Sequence, residues 1–369
     1  MRGRILAPVP AGDPRVKAYA GLLLDRSLGV QPGWQVLVVT TVEARPLVEE
    51  LSRGLAQRGA FSLPRISFGA WYPLDSAWME AAAPELAMRL APLEQEAVDR
   101  VDGSIFVIAP SDPPLDADVD ADAKRGYRAQ LTAYRARGRA GEAPEVRCDF
   151  PTPWFARQAG LPLGEYEDVF YDACLRDWDA EGERMEPIRE RFDHADEVRI
   201  VGDGTDLRLS LAGRTGAVDA GHVNVPGGEV YYCPVEDSAE GEIVFDFPSG
   251  RVERARLVLR GGDVVEASAD AGEDALNQAL DTDGGSRRFG ELGIGCNDAI
   301  TRHMRNVLFD EKMAGTVHLA LGQGFPRIGG RNESALHWDL VKDLRSRGEL
   351  YADGELVQRD GRWLIPGAG

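Results

Sequence analysis

Histidine is scarce in this 369-residue chain, which holds only His194, His222, His303, His318 and His337. Two of these have neighbours that suit metal chemistry. His337 lies in Asn332-Glu-Ser-Ala-Leu-His-Trp-Asp339. Side chains of a strand alternate with period two, so as a strand this segment puts His337 and Asp339 on one face. An imidazole beside a carboxylate can ligate a divalent cation, or form an ordinary surface ion pair. His318 lies in Gly315-Thr-Val-His-Leu-Ala-Leu-Gly322, a strand-like run bounded by glycines. Such a ring is either a hydrogen-bonded core histidine or a ligand, and the glycines permit the close backbone approach that ligand sites need. His222 and His303 show no evident partner and read as structural.

Two glutamates stand in unusual places. Glu229 follows Pro226-Gly-Gly and opens the apolar run Val230-Tyr-Tyr232, and Glu291 lies in Arg288-Phe-Gly-Glu-Leu-Gly-Ile-Gly295. Each is either exposed at a turn or buried against a cation, because an unpaired carboxylate is costly to desolvate. Asp310-Glu311-Lys312 offers a structural ion network or a general base. The four cysteines, Cys148, Cys174, Cys233 and Cys296, form no C-x-x-C pair. They read as reduced, buried thiols, with a nucleophile at Cys233 or Cys296 as the other possibility.

These residues need elements to hold them. In the first half, strand-like and helix-like segments alternate: a helix ending over Tyr19–Leu28, a strand at Gln35-Val-Leu-Val-Val-Thr40, a helix over Ala44–Arg58, a strand at Ser62–Phe68, a helix over Trp78–Leu90 and a strand at Ser104–Ala109. That alternation predicts an α/β domain with a parallel sheet covered on both faces. Pro113–Asp122 reads as an acidic loop, and Asp122–Arg139 and Asp168–Asp193 as charged helices. From Glu197 onward short alternating strands dominate, at 198–201, 206–211, 242–246, 254–259 and 264–267, separated by glycine turns. The expected organisation is an α/β domain over 1–194 and an α+β, β-rich domain over 195–369 that carries the metal-ligand candidates.

Composition narrows the function. A net charge of −19 repels phosphate backbones and anionic membranes, so nucleic acid is not an expected partner. No apolar run approaches the roughly 20 residues that span a bilayer. The N-terminal residues lack the pattern of a signal peptide, and a cytoplasmic location is the expectation.

Taken in order, five segments resemble the aminopeptidase T family of metallo-aminopeptidases: Asn224-Val-Pro-Gly-Gly-Glu-Val230, Gly290-Glu-Leu-Gly-Ile-Gly-Cys-Asn297, Phe309-Asp-Glu-Lys312, Gly315–Gly322 and Asn332–Asp339. The resemblance extends to Asp353-Gly-Glu-Leu and Asp360-Gly, and more loosely to Gln31-Pro-Gly-Trp-Gln-Val-Leu37. It implies a cytoplasmic hydrolase that removes N-terminal residues from peptides. It also implies two divalent ions (zinc, cobalt or manganese), held by Glu229, Glu291, His318, His337 and Asp339, and a homodimer. Asp339 would bridge the ions and Glu311 would be the base. The family's tyrosine seven residues after the first ligand histidine is Phe325 here, so that phenol is missing; Tyr231, Tyr232 and Tyr351 are the candidates to replace it. The related 2,5-dihydroxypyridine dioxygenases carry histidine where this chain has Glu291, which favours the hydrolase over a mononuclear iron oxygenase. A metal-binding homologue without catalysis is the further alternative.

Overall fold

In the computed structural model, residues 12–68, 76–111 and 121–368 are described. They divide into two compact units. One comprises the described residues up to Leu175 together with His222–Val225; the other comprises Arg176–Gly221 and the chain from Pro226 onward.

The first unit is built on a parallel sheet. Its strands are β1 (Gln35–Thr41), β2 (Phe61–Ser67), β3 (Gly103–Ile108), β4 (Glu145–Asp149) and, arriving from later in the chain, β8 (Asn224–Val225), in the order β2-β1-β3-β4-β8. Beyond Gln35 every residue of β1 is buried, as a strand covered on both faces requires. Pro64 is tolerated because β2 lies at the sheet edge, where its missing N–H faces no partner strand. The helix Arg45–Gln57 buries Leu47, Val48, Leu51 and Leu55, the spacing its sequence promised. A core of Leu37, Val39, Leu90, Val98, Val101, Phe106 and Tyr134 lies against the sheet.

Some expected helices are broken. The Trp78–Leu90 segment forms two short helices, Ser76–Ala81 and Pro84–Ala87, because Pro84 lacks an N–H and can only begin a helix. The Asp168–Asp193 segment is likewise two helices, Leu163–Cys174 and Trp178–Asp193; the Asp177 side chain accepts from Ala180 N at 3.2 Å and starts the second. The helix Pro14–Leu22 passes into a π-helical turn, Leu23–Ser27. Of Pro113–Asp122, expected as a loop, residues 113–120 lie outside the described residues and Ala121 and Asp122 begin the helix Ala121–Tyr134.

The second unit holds two antiparallel sheets. The eight-stranded sheet joins β5 (Glu197–Gly202), β6 (Thr205–Ser210), β10 (Glu240–Val244), β11 (Arg256–Arg260), β12 (Asp263–Ser268), β16 (Glu349–Ala352), β17 (Glu355–Arg359) and β18 (Arg362–Trp363) in the order β12-β11-β10-β6-β5-β16-β17-β18. The five-stranded sheet joins β7 (Ala217–Asp219), β9 (Glu229–Tyr232), β13 (Phe289–Gly295), β14 (Thr316–Gly322) and β15 (His337–Asp343) in the order β15-β14-β13-β9-β7. The helix Trp178–Asp193, which a boundary at 195 would assign to the first half, packs on β7 and β9 within this unit. No helix among the described residues is long and apolar enough to cross a membrane.

Candidate metal centre

The register of the five-stranded sheet decides which side chains meet. Across an antiparallel pair, directly opposed residues point to the same face. Asp219 opposes Glu229, Tyr231 opposes Gly293, Gly293 opposes His318, and Asp339 opposes Ala320. A bulge at Gly290 shifts the register between Phe289 and Glu291 and leaves Glu291 opposite Ala320. One face therefore carries Asp219, Glu229, Tyr231, Glu291, His318, His337 and Asp339, contributed by five strands. The same face has Gly293, Gly295, Ala320 and Gly322 at its centre, so the polar side chains have room to converge. A Cβ on Gly293 would stand 1.9 Å from His318 Cε1, which shows that the imidazole lies directly across this glycine.

All five residues expected as ligands are brought together. Glu229, Glu291 and His318 offer ligand atoms within 4.8 Å of one another, as do Glu291, His337 and Asp339, and a third trio is Glu311, His318 and Asp339. Glu229 and Glu291 are buried, 4% and 5% exposed, which removes the turn-exposed alternative for both. His318 is buried, while His337 lies at the mouth with 34% of its side chain exposed. Asp310 is used elsewhere: it accepts from Met304 N at 2.6 Å and Asn306 N at 2.8 Å, and His303 Nε2 lies 3.1 Å away. His303 also stacks on Phe247, so this ring does have a structural partner.

The two imidazoles are oriented alike. His318 Nδ1 lies 3.0 Å from the Glu311 carbonyl and His337 Nδ1 lies 2.9 Å from the Gln323 carbonyl. A carbonyl only accepts, so each Nδ1 donates and each Nε2 is turned toward the carboxylates. His318 Nε2 is 3.5 Å from Glu229 Oε2 and 3.6 Å from Glu291 Oε1; His337 Nε2 is 3.3 Å from Glu291 Oε2 and 3.7 Å from Asp339 Oδ2. These separations are long for charge-assisted hydrogen bonds. They match the edge of about 3.4 Å that ligands at roughly 2.1 Å from a tetrahedral ion would have. Glu229 Oε2 and Asp339 Oδ1 are buried with no hydrogen-bond partner among the described residues, which leaves unused acceptor capacity on two of the candidate ligands. The donor set and its spacing fit a divalent cation.

Electrostatics agree with crowded carboxylates. Burial pushes the Glu229 carboxyl up, opposed chiefly by Lys312, and burial likewise raises Asp339. Glu291 goes the other way: burial acts to raise it, but His318 and His337 hold it well below the usual carboxylate range. Burial acts to lower His318, and the carboxylates, Glu291 foremost, override it to bring the ring up to about 9.

Sequence reasoning named Lys312 as part of a possible ion network but not as the partner of Glu229. Lys312 is fully buried, and its ammonium donates to Glu229 Oε1 at 2.7 Å and to Glu311 Oε1 at 2.6 Å. Asp310-Glu311-Lys312 thus places both an ion network and a carboxylate at the cluster. The only available signal was a lysine following a glutamate, which usually marks a solvated surface. Asp219, buried opposite Glu229, was also overlooked. The loop entering β9 explains the two glycines before Glu229: a Cβ on Gly227 would meet Gly221 N at 2.4 Å, and one on Gly228, at φ +107°, would meet Asn297 Cβ at 2.7 Å. Gly228 N donates to Asp219 O at 2.7 Å and Cys296 N donates to Gly228 O at 2.8 Å, tying the loop on both sides.

The three tyrosines considered for the phenol absent at Phe325 are separated by the fold. The Tyr232 hydroxyl donates to Arg189 O at 2.8 Å on the helix packed behind the sheet, and Tyr351 donates to Glu349 at 2.5 Å in the other sheet. Tyr231 alone shares the face of the cluster. Cys233 and Cys296 are buried, and burial pushes both thiols up, to about 11 and about 12, as suits inert packing groups.

Among characterised proteins, the chain is 26% identical over 416 residues to aminopeptidase 2 of Geobacillus stearothermophilus, covering 96% of this chain and 98% of that protein. Its fold is similar to wild-type AmpT from Thermus thermophilus, with a TM-score of 0.79 at 24% identity over 96% of this chain and 100% of the other. A more distant likeness in fold is to 2,5-dihydroxypyridine dioxygenase from Pseudomonas putida KT2440, with a TM-score of 0.59 at 15% identity over 95% and 97% of the two chains. Residues 12–363, which include every member of the cluster, match the thermophilic metalloprotease (M29) family, and the chain belongs to that family.

Proposed function

We infer that the protein is a metal-dependent aminopeptidase that hydrolyses the N-terminal residue from peptides. One observation carries the reading: two imidazoles, each fixed through Nδ1, turn their Nε2 atoms toward carboxylate oxygens at 3.3–3.7 Å, a spacing suited to a cation between them. Glu229, Glu291 and His318 would hold one ion, and Glu291, His337 and Asp339 a second. Glu291, whose two oxygens face the two different rings, would belong to both sets, with Asp339 expected beside it. Mixed imidazole and carboxylate ligands suit zinc, cobalt or manganese.

Charge supports a pair of ions. Asp219, Glu229, Glu291, Glu311 and Asp339 against Lys312 leave four net negative charges when the carboxylates are ionised and both rings are neutral. One divalent ion would leave the buried cluster negative, whereas two would balance it. When bound, such ions polarise the scissile carbonyl and bring the pKa of water from 15.7 toward roughly 7.

The protein groups do the rest. The Glu311 carboxylate sits beside His318 and Asp339, and Lys312 restrains one of its oxygens at 2.6 Å. Glu311 takes the proton of the attacking water and returns it to the leaving amine.

A panel of aminoacyl p-nitroanilides tests the reading. Hydrolysis that chelator abolishes and cobalt, zinc or manganese restores is the expected result. Oxygen consumption with a hydroxylated pyridine, and no amide hydrolysis, would point to the oxygenase relatives instead.

A further inference from the structure

Tyr231 stands two residues beyond Glu229 on β9, on the face that carries the ligand candidates, and it opposes Gly293, the residue that His318 lies across. Its ring meets Phe325 edge-on at 5.7 Å between centroids, and Phe325 in turn lies 5.3 Å from the His337 ring. The phenol is thus walled in beside both imidazole positions, with a residue exposure of 6%. Arg327 reaches over from the short helix Pro326–Ile328 and donates to the Tyr231 hydroxyl oxygen at 2.6 Å. That segment is pinned to the end of β9: Phe325 N donates to Cys233 Sγ at 3.1 Å, and a Cβ on Gly330 would meet that sulfur at 2.6 Å.

The hydrogen-bond count at this hydroxyl is informative. It accepts from Arg327, and its own O–H has no acceptor among the described residues. A buried donor left unmade is costly. A guanidinium on the oxygen also makes the O–H a stronger donor. The site therefore presents a polarised, uncommitted donor next to the cluster.

We propose that Tyr231, polarised by Arg327, is a catalytic residue that donates a hydrogen bond to the scissile carbonyl oxygen as it becomes an oxyanion. The assignment rests on the aminopeptidase reading. Water oxygen bonds to the carbonyl carbon, the carbonyl π pair moves onto its oxygen, and Tyr231 stabilises that charge without giving up its proton. Collapse restores the carbonyl and breaks the C–N bond, and the amine leaves with the proton carried by Glu311. The products are one amino acid and a shortened peptide, so no redox partner is required. Arg327 is a positioning residue in this scheme.

The test compares wild type, Tyr231→Phe, Arg327→Met and Arg327→Lys, all loaded with cobalt. Steady-state kinetics on leucine p-nitroanilide are read alongside calorimetric binding of leucine phosphonic acid, a tetrahedral anion, and of leucine itself. Loss of one oxyanion donor lowers kcat by about 10²–10³-fold. Tyr231→Phe should show that fall in kcat with KM within about threefold, a matching loss of affinity for the phosphonate, and unchanged affinity for leucine. Arg327→Met should fall part of the way, and Arg327→Lys should recover some of it. Adding Phe325→Tyr to Tyr231→Phe, which returns a phenol from the facing ring, should restore activity in part. Wild-type kcat and phosphonate affinity in Tyr231→Phe overturn the assignment, as does an equal loss of leucine binding, which marks a structural role. If wild type hydrolyses and Tyr231→Phe matches it, only this assignment fails. A wild type that neither hydrolyses nor binds the phosphonate refutes the aminopeptidase reading as well.

Discussion

An added methyl at Gly293 would sit 1.9 Å from Cε1 and 2.1 Å from Nε2 of His318. The ring would have to leave its place, and with it the pairing to Glu229 and Glu291. Gly293→Ala should keep its far-ultraviolet dichroism and lose roughly 10–100-fold in zinc affinity by calorimetry, the size of effect seen when a ligand's support is disturbed. Glu311 differs in kind, because it is asked to move a proton as well as to sit near the cluster. Glu311→Gln should retain its bound metal and lose about 10²–10⁴-fold in kcat. Hydrolysis of leucine p-nitroanilide at the wild-type rate would strip Glu311 of the base role. Both expectations depend on Lys312, whose ammonium joins Glu229 to Glu311 in a place water does not reach.

Elements rather than single residues bring His337 to the cluster. The segment before it is held by Asp283, whose carboxylate accepts from Ala335 N at 2.7 Å, Ser334 Oγ at 2.8 Å and Gly285 N at 3.0 Å. The Ala335 N–H chiefly, against slight burial and with help from Ser334, holds this carboxyl below its ordinary value of 3.8. A depressed folded value means stability that is present above pH 3.8 and is lost as pH falls through the folded value. In urea titrations of chelated protein, Asp283→Asn should therefore be less stable than wild type by a constant margin from pH 6 to about 4, and the gap should close below that. A gap that widens toward low pH would contradict the sign. The strands themselves were legible: period-two alternation marked β5, β6, β10, β11 and β12 within a residue or two, and the β-branched run marked β1. Legible too was the pairing of His337 with Asp339 on one strand face. Register was not. The bulge at Gly290 turns on the Gly322 carbonyl, 2.3 Å from where a Cβ would be, and nothing in Arg288-Phe-Gly-Glu announces that close approach. The burial of Glu229 was equally hidden, because it depends on a lysine 83 positions away. Helix breaks at Pro84 and Asp177 were available in principle, and there the apolar spacing outweighed the local stop signals.

Over the whole chain, folding gathers carboxylates that repel one another in a protein already carrying a net charge of −19. A cation that binds only the folded state stabilises it by about 2.7 kcal/mol at a concentration one hundred times its Kd. For a unit of this size that corresponds to a rise in Tm on the order of 5–10 °C. Calorimetry of chelated protein before and after zinc should show this rise, and none if His337 and His318 are both replaced by alanine. The proposed site would take two ions per chain. The most direct test is to titrate cobalt into chelated protein while following hydrolysis of leucine p-nitroanilide. Activity should climb to a plateau reached at two equivalents per chain; turnover that survives chelation, or two bound ions with no turnover, would contradict the account.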